Sequence, residues 1–235
     1  MALIIIIDQW IKLEVKTSMT LFEKHKITSW FYIYFIENNG MAFGMSFINK
    51  TILSLFRLVA IIAIAVVMYK LIKKGARWIA VVLLAMLWAG ATGNLIDCIF
   101  YGMCFTQSSP DYVSYCVPFG QGYSTLLNGK VVDMFYFPLI VTEYPSWVPI
   151  YGGQQFIFFS PIFNFADAAV SCSVIAAFIF CKKELAELMT VTEDADKSKS
   201  HEEVKKRQPS EKNGPSENGS EDDAVTERSN REKQL

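Results

Sequence analysis

The chain has 235 residues, 52% of them hydrophobic and 19% charged, with a formal net charge of −1. The charges gather in short loops and from Lys182 onward, so the rest is too apolar for an ordinary soluble domain. No basic stretch interleaved with aromatics points to nucleic acid. Two histidines, His25 and His201, and five irregularly spaced cysteines argue against a zinc site.

The first segment, ALIIIIDQWIKLEV, reads as part of a membrane helix. It has only about half of the ~20 apolar residues a span needs before charges begin, so a start upstream of Met1 is the expectation. Asp8 and Lys12 stand four apart on one helical face, where they can pair. That pair either tethers the helix end or serves the substrate directly. Residues 18–49 are too polar to span. WFYIYFIE (30–37) favours a strand, and Asn38, Asn39 and Gly40 mark a turn, so a small sheet at the membrane surface is expected.

Residues 51–71 form a membrane helix interrupted by Arg57, which can snorkel to the interface. Lys70, Lys73, Lys74 and Arg77 follow, and the positive-inside rule puts them in the cytoplasm. Residues 78–95 recross outward with a small-residue stripe, Ala85, Ala89 and Gly93, that lets another helix approach. Asn94 and Asp97 share a face at its outer end. Residues 98–157 carry many turn formers and form an outward-facing segment, long enough to be a lid or platform. Cys104 and Cys116 lie there and are candidates for a disulfide if the geometry allows one. The last span, 165–180, has its own small face, Ala169, Ser173 and Ala177, and ends at cytoplasmic Lys182 and Lys183. Residues 182–235 read as a disordered cytoplasmic tail, leaving 1–181 as the membrane domain.

Two stretches organise this layout. GKVVDM (129–134) and FNFADAA (163–169) each bury one aspartate, Asp133 and Asp167, in apolar sequence near the bilayer, where an ionised carboxylate is costly unless it is used. Two aspartates sharing a proton are the chemistry of aspartyl peptidases. Asp8, Asn38, Asn94, Asp97, Asp133, Asn164 and Asp167 all map to one depth at the outer face. The plain alternative is that they are interfacial caps, and Asn164, before an apolar run, is a good N-cap in its own right.

DQWIK (8–12), NNGMAFG (38–44), GNLID (93–97), GKVVDM (129–134) and FNFAD (163–167) together resemble, in order, the motifs of lipoprotein signal peptidase, also called signal peptidase II. The resemblance covers about residues 1–181. It implies a membrane α-helical fold with four transmembrane helices, a small periplasmic β-cradle within 18–49, and a loop or helix between 98 and 151 over the active site. It implies an enzyme of the bacterial inner membrane, monomeric, with both termini cytoplasmic, acting among membrane lipids. The reaction would remove signal peptides from prolipoproteins, cutting before a diacylglyceryl-modified cysteine, with no metal or cofactor. Asp133 and Asp167 would be the catalytic pair, Asn38, Gly40, Asn94, Asp97 and Asn164 would bind substrate, and Asp8 and Lys12 would support them. Two departures stand out. Cys98 follows GNLID where the family commonly has Arg, and the spacing from GNLID to GKVVDM is long. A small proton- or cation-coupled transporter would instead run its ionisable groups through the bilayer, and a scaffold acting through its tail would tolerate Asp133→Asn.

Overall fold

The computed structural model describes residues 1–39, 49–184 and 186. Gly40 and the tail beyond Ala186 lie outside them. All the described residues belong to one compact unit, Met1–Met189.

Helix α1 (Ala2–Ser18) buries Asp8, Lys12, Val15 and Lys16. That spacing is one helical face, and three of its four members are charged. Helix α2 (Lys50–Lys73) starts at Asn49, whose side chain accepts from the Thr51 N–H at 2.9 Å. Helix α3 (Trp78–Ile96) runs on through a π-helical turn, Asp97–Tyr101, into a short α4 (Gly102–Cys104). Among the described residues, Lys50–Lys73 and Trp78–Cys104 are long and apolar enough to cross a membrane; α5 (Phe165–Phe180) is apolar but shorter.

Helix α3 packs chiefly on α5, and the expected small-residue stripe lies at this contact, with Ala89 and Gly93 buried. A methyl group on Gly93 would stand 2.6 Å from Asp8 Oδ2 and 3.3 Å from Ala166 Cβ, so only glycine lets α1, α3 and α5 meet there. Neighbouring Gly90 does the same against the Ala166 carbonyl and Val170.

A four-stranded antiparallel sheet lies beside the helices in the order β1-β2-β3-β6, with β1 at Lys24–Lys26, β2 at Tyr32–Asn38, β3 at Val131–Tyr136 and β6 at Ile162–Phe163. The strand expected at 30–37 is β2. Its register sets Ile36 opposite Asp133 and Asn38 opposite Val131, after a one-residue bulge. β3 and β6 pair Phe135 with Phe163, and the next residue is Asn164. Phe35, Val132 and Met134 join Val15 of α1, Met19 just beyond it, and Tyr101 and Phe105 in the core, which fixes the sheet against the helices.

The long segment after α4 folds back on itself. Cys104 and Cys116 are both free thiols. The disulfide is not formed because the local pairing is one place out of step: Phe105 bridges Cys116, while the Val117 N–H bonds the Cys104 carbonyl at 2.8 Å. Between β3 and β6 the chain makes a separate two-stranded hairpin, β4 (Ile140–Glu143) with β5 (Gln155–Phe158).

Candidate active site

Asp133 sits buried in the middle of β3, and Asp167 is half-buried in the first turn of α5. Two asparagine amides join them. Asn164 Nδ2 donates to Asp133 Oδ1 at 2.7 Å and to Asn94 Oδ1 at 3.0 Å, while Asn94 Nδ2 donates to Asp167 Oδ1 at 2.7 Å. Asn38 Nδ2 closes the far side, 3.2 Å from Asp133 Oδ2. Asn164 is also the N-cap of α5: its Oδ1 accepts from the Asp167 N–H at 2.9 Å, and Asp167 Oδ2 accepts from the Asn164 N–H at 3.3 Å, a reciprocal capping box. Capping and site-building are therefore the same act. The cap fixes the Asn164 side chain so that its amide nitrogen is left to face Asp133.

The two carboxyls sit in unlike surroundings. Burial, and then the charge of Asp167, push the Asp133 carboxyl up to about 7. Asp167 stands at a helix N-terminus, whose dipole favours a negative charge. The fold thus favours the neutral form of Asp133.

Beneath this layer lies a saturated charge cluster. The Lys12 ammonium donates to Asp8 Oδ2 at 2.9 Å, Asp97 Oδ2 at 2.8 Å and Asn94 Oδ1 at 2.8 Å, which uses its three donors. Lys12, Asp8 and Asp97 are all completely buried. Asp8 Oδ1 accepts from the Ala166 N–H at 2.8 Å, so α1 holds the first turn of α5. Asp97 Oδ2 accepts from the Val132 N–H at 3.3 Å, next to Asp133, and so ties the end of α3 to β3. Asp97, expected among the substrate contacts, thus stands below the pair with no exposed surface. Asn38 and Asn94 are half-buried.

Three features went unread in the sequence. Gln9 Nε2 binds Asp97 Oδ1 at 2.9 Å, the Gly93 carbonyl at 3.1 Å and Asp8 Oδ2 at 3.2 Å, and its Oε1 accepts from the Tyr101 hydroxyl at 3.2 Å. A second buried ion pair joins Lys16 Nζ to Glu37 Oε1 at 2.6 Å, with Ser108 Oγ 3.0 Å from the ammonium and the Phe105 and Tyr123 rings flanking it. Burial would raise the Glu37 carboxyl, but Lys16 holds it below the usual range. Third, Arg57 reaches across from α2 and donates from Nη1 to Cys98 Sγ, the residue after GNLID, at 3.3 Å. The useful signals were position: Gln9 adjoins Asp8, and Lys16 is one turn beyond Lys12 on the same face.

Two solved structures of bacterial membrane enzymes share this fold with a TM-score of 0.52 each. One, at 23% identity, covers 79% of this chain and 87% of its own; the other, at 24%, covers 77% and 89%. The chain therefore has the fold of a bacterial membrane enzyme. A lipoprotein signal peptidase of Porphyromonas gingivalis is 45% identical over 178 residues, which are 75% of this chain and 78% of that protein. One from Amoebophilus asiaticus is 33% identical over 186 residues, 73% and 71% of the two chains. The family profile described as Signal peptidase (SPase) II matches residues 1–182, and the chain belongs to that family. It is a peptidase, hence a hydrolase.

Proposed function

We propose that the protein removes signal peptides from lipid-modified prolipoproteins, cutting before the lipidated cysteine, with Asp133 and Asp167 as the catalytic pair. The observation that carries this is the bridge of Asn164 and Asn94 between two carboxyls of unlike surroundings. Asp167, in the first turn of α5, acts as the base and takes a proton from a water held between the acids. That water attacks the scissile carbonyl. Asp133, protonated below about pH 7, donates a hydrogen bond to the carbonyl oxygen as charge develops there, and a proton then passes to the leaving amine. Asn38, Asn94 and Asn164 keep both carboxyls aimed, and the half-buried Asn38 and Asn94 also meet the substrate backbone. Lys12, Asp8, Asp97 and Gln9 set the height of Asn94, β3 and the first turn of α5.

The proposed topology has four spans, with the pair and the β-sheet at the periplasmic face and both termini cytoplasmic. Its support is charge and contact. Lys70, Lys73 and Lys74 end α2, and Arg77, which opens α3, grips the far end of α5. Arg77 Nε and Nη2 donate to the Glu184 carboxylate at 2.6 and 2.7 Å, and Nη2 also donates to the Phe180 carbonyl at 2.6 Å. These basic ends share one side, opposite the aspartates. The test is cleavage by the purified protein of a diacylglyceryl-modified prolipoprotein beside its unlipidated form. Cleavage of the modified form alone supports the reading; equal cleavage of both overturns the lipid requirement, and cleavage of neither overturns the function.

A further inference from the structure

The β4–β5 hairpin does nothing for the site just described, although it joins its two halves: β3 with Asp133 before it, β6 and Asn164 after it. Among the described residues its two strands pair only with each other, through Ile140 with Phe158, Val141 with Ile157, Thr142 with Phe156 and Glu143 with Gln155. A lone two-stranded ribbon is marginal in water unless something covers it. Here every β4 residue is exposed. At the tip Trp147 and Ile150 are 80% and 87% exposed, more than any other large apolar side chain described. Ile150 is also held at φ 71°, a conformation that β-branched residues avoid. The loop is nonetheless ordered by its own bonds, Tyr144 N–H to the Gln154 carbonyl at 2.9 Å and Gly153 N–H to the Tyr144 carbonyl at 3.0 Å, with the Tyr144 ring against Tyr151 and Phe156. A built, strained loop that thrusts a tryptophan and an isoleucine outward is made for an apolar medium.

We infer that this hairpin is a membrane-interface anchor whose tip, Trp147 and Ile150, sits in the headgroup and upper acyl region of the bilayer. Three observations choose the bilayer over other occupants. The hairpin is rooted at the end of a membrane helix: β5 ends at Phe158, and α5 begins at Phe165 with a face of exposed Val174, Ile175, Phe178 and Ile179. Tryptophan and tyrosine beside aliphatic residues are the composition of interfacial belts, and Trp147 and Tyr151 supply it. Between Lys130 and Lys182 the chain has no basic residue, and within the hairpin only Glu143 is charged, so insertion rests on apolar contact and suits uncharged lipid. The anchor would fix the height of Asn164 and Asp133 above the acyl chains. It rests on the protein being a membrane enzyme, not on which residues cleave.

The test reconstitutes the full chain without substrate into phosphatidylcholine vesicles, plain or brominated in the upper acyl chain, and compares tryptophan emission with that of Trp147→Phe, a conservative surface change. The wild-type minus variant difference isolates Trp147 from the other four tryptophans. At least about half of that difference should be quenched in brominated vesicles and be insensitive to added salt, as befits neutral interfacial insertion. An unquenched difference overturns the anchor. Quenching that appears only after lipidated prolipoprotein is added assigns the hairpin to the substrate instead, and also overturns it.

Discussion

Asp133 is a carboxyl that the fold prefers neutral, and that preference is measurable without any substrate. Its ordinary value of 3.8 is pushed up to about 7, first by burial and then by Asp167. The folded protein therefore keeps this proton up to about pH 7, whereas the unfolded chain releases it near pH 4. Below both values the carboxyl has no effect on the folding balance. As the pH rises the unfolded state ionises first and gains, and the folded state loses stability until the pH passes about 7. Between about pH 5 and about pH 7 this amounts to about 2 kcal/mol, or roughly 4–8 °C in melting temperature for a chain of this size. Asp133→Asn keeps the shape, has no proton to lose and should escape this loss. Thermal unfolding of both proteins in one detergent across that range is the assay. The variant should gain on wild type by about 2 kcal/mol as the pH rises, whatever their order at the acid end. A constant difference would mean that Asp133 ionises normally, and the division of labour between the two acids would fail.

The buried charges yield further outcomes. Lys12→Met leaves Asp8 and Asp97 in the interior without their cation and should destabilise the protein by about 3–5 kcal/mol, read by thermal unfolding; a loss under about 1 kcal/mol would contradict the cluster. Lys16→Met alone should destabilise by leaving buried Glu37 with only the longer, partly exposed contact to Lys130 Nζ at 3.3 Å, whereas Lys16→Met with Glu37→Gln should recover much of the loss, since apolar or neutral replacement of both partners is tolerated better than breaking the pair. Additive losses in that double variant would refute the coupling. Gly93→Ala should destabilise by about 1–3 kcal/mol by driving a methyl into Asp8 Oδ2, and a neutral result would mean that α1 and α3 are less tightly joined than they stand here.

The parts of the site legible in the sequence were those whose partners are local or whose setting is anomalous. Asp8 and Lys12 pair because they are four apart on one helix. Asp133 and Asp167 drew attention as acids in apolar runs. Asn164 invited two readings, cap or site, and the reciprocal bonds with Asp167 make them one. Partners brought from afar left no local trace. Glu37 lies in an aromatic strand, and its cation Lys16 comes from a different element. Arg57 looked like an interfacial snorkel, yet it reaches a thiol far along the chain. The hairpin was folded into one long outward-facing segment, because turn formers mark where a chain bends but not what medium its apolar side chains meet. Gly40, expected beside Asn38, lies outside the described residues.

The most direct test of the whole account is the cleavage rate of a diacylglyceryl-modified prolipoprotein by Asp133→Asn and by Asp167→Asn, each first checked to be folded. Both rates should fall at least about a hundredfold, since each acid handles a proton in the transition state. Cleavage by either variant within about tenfold of wild type would contradict a two-aspartate mechanism.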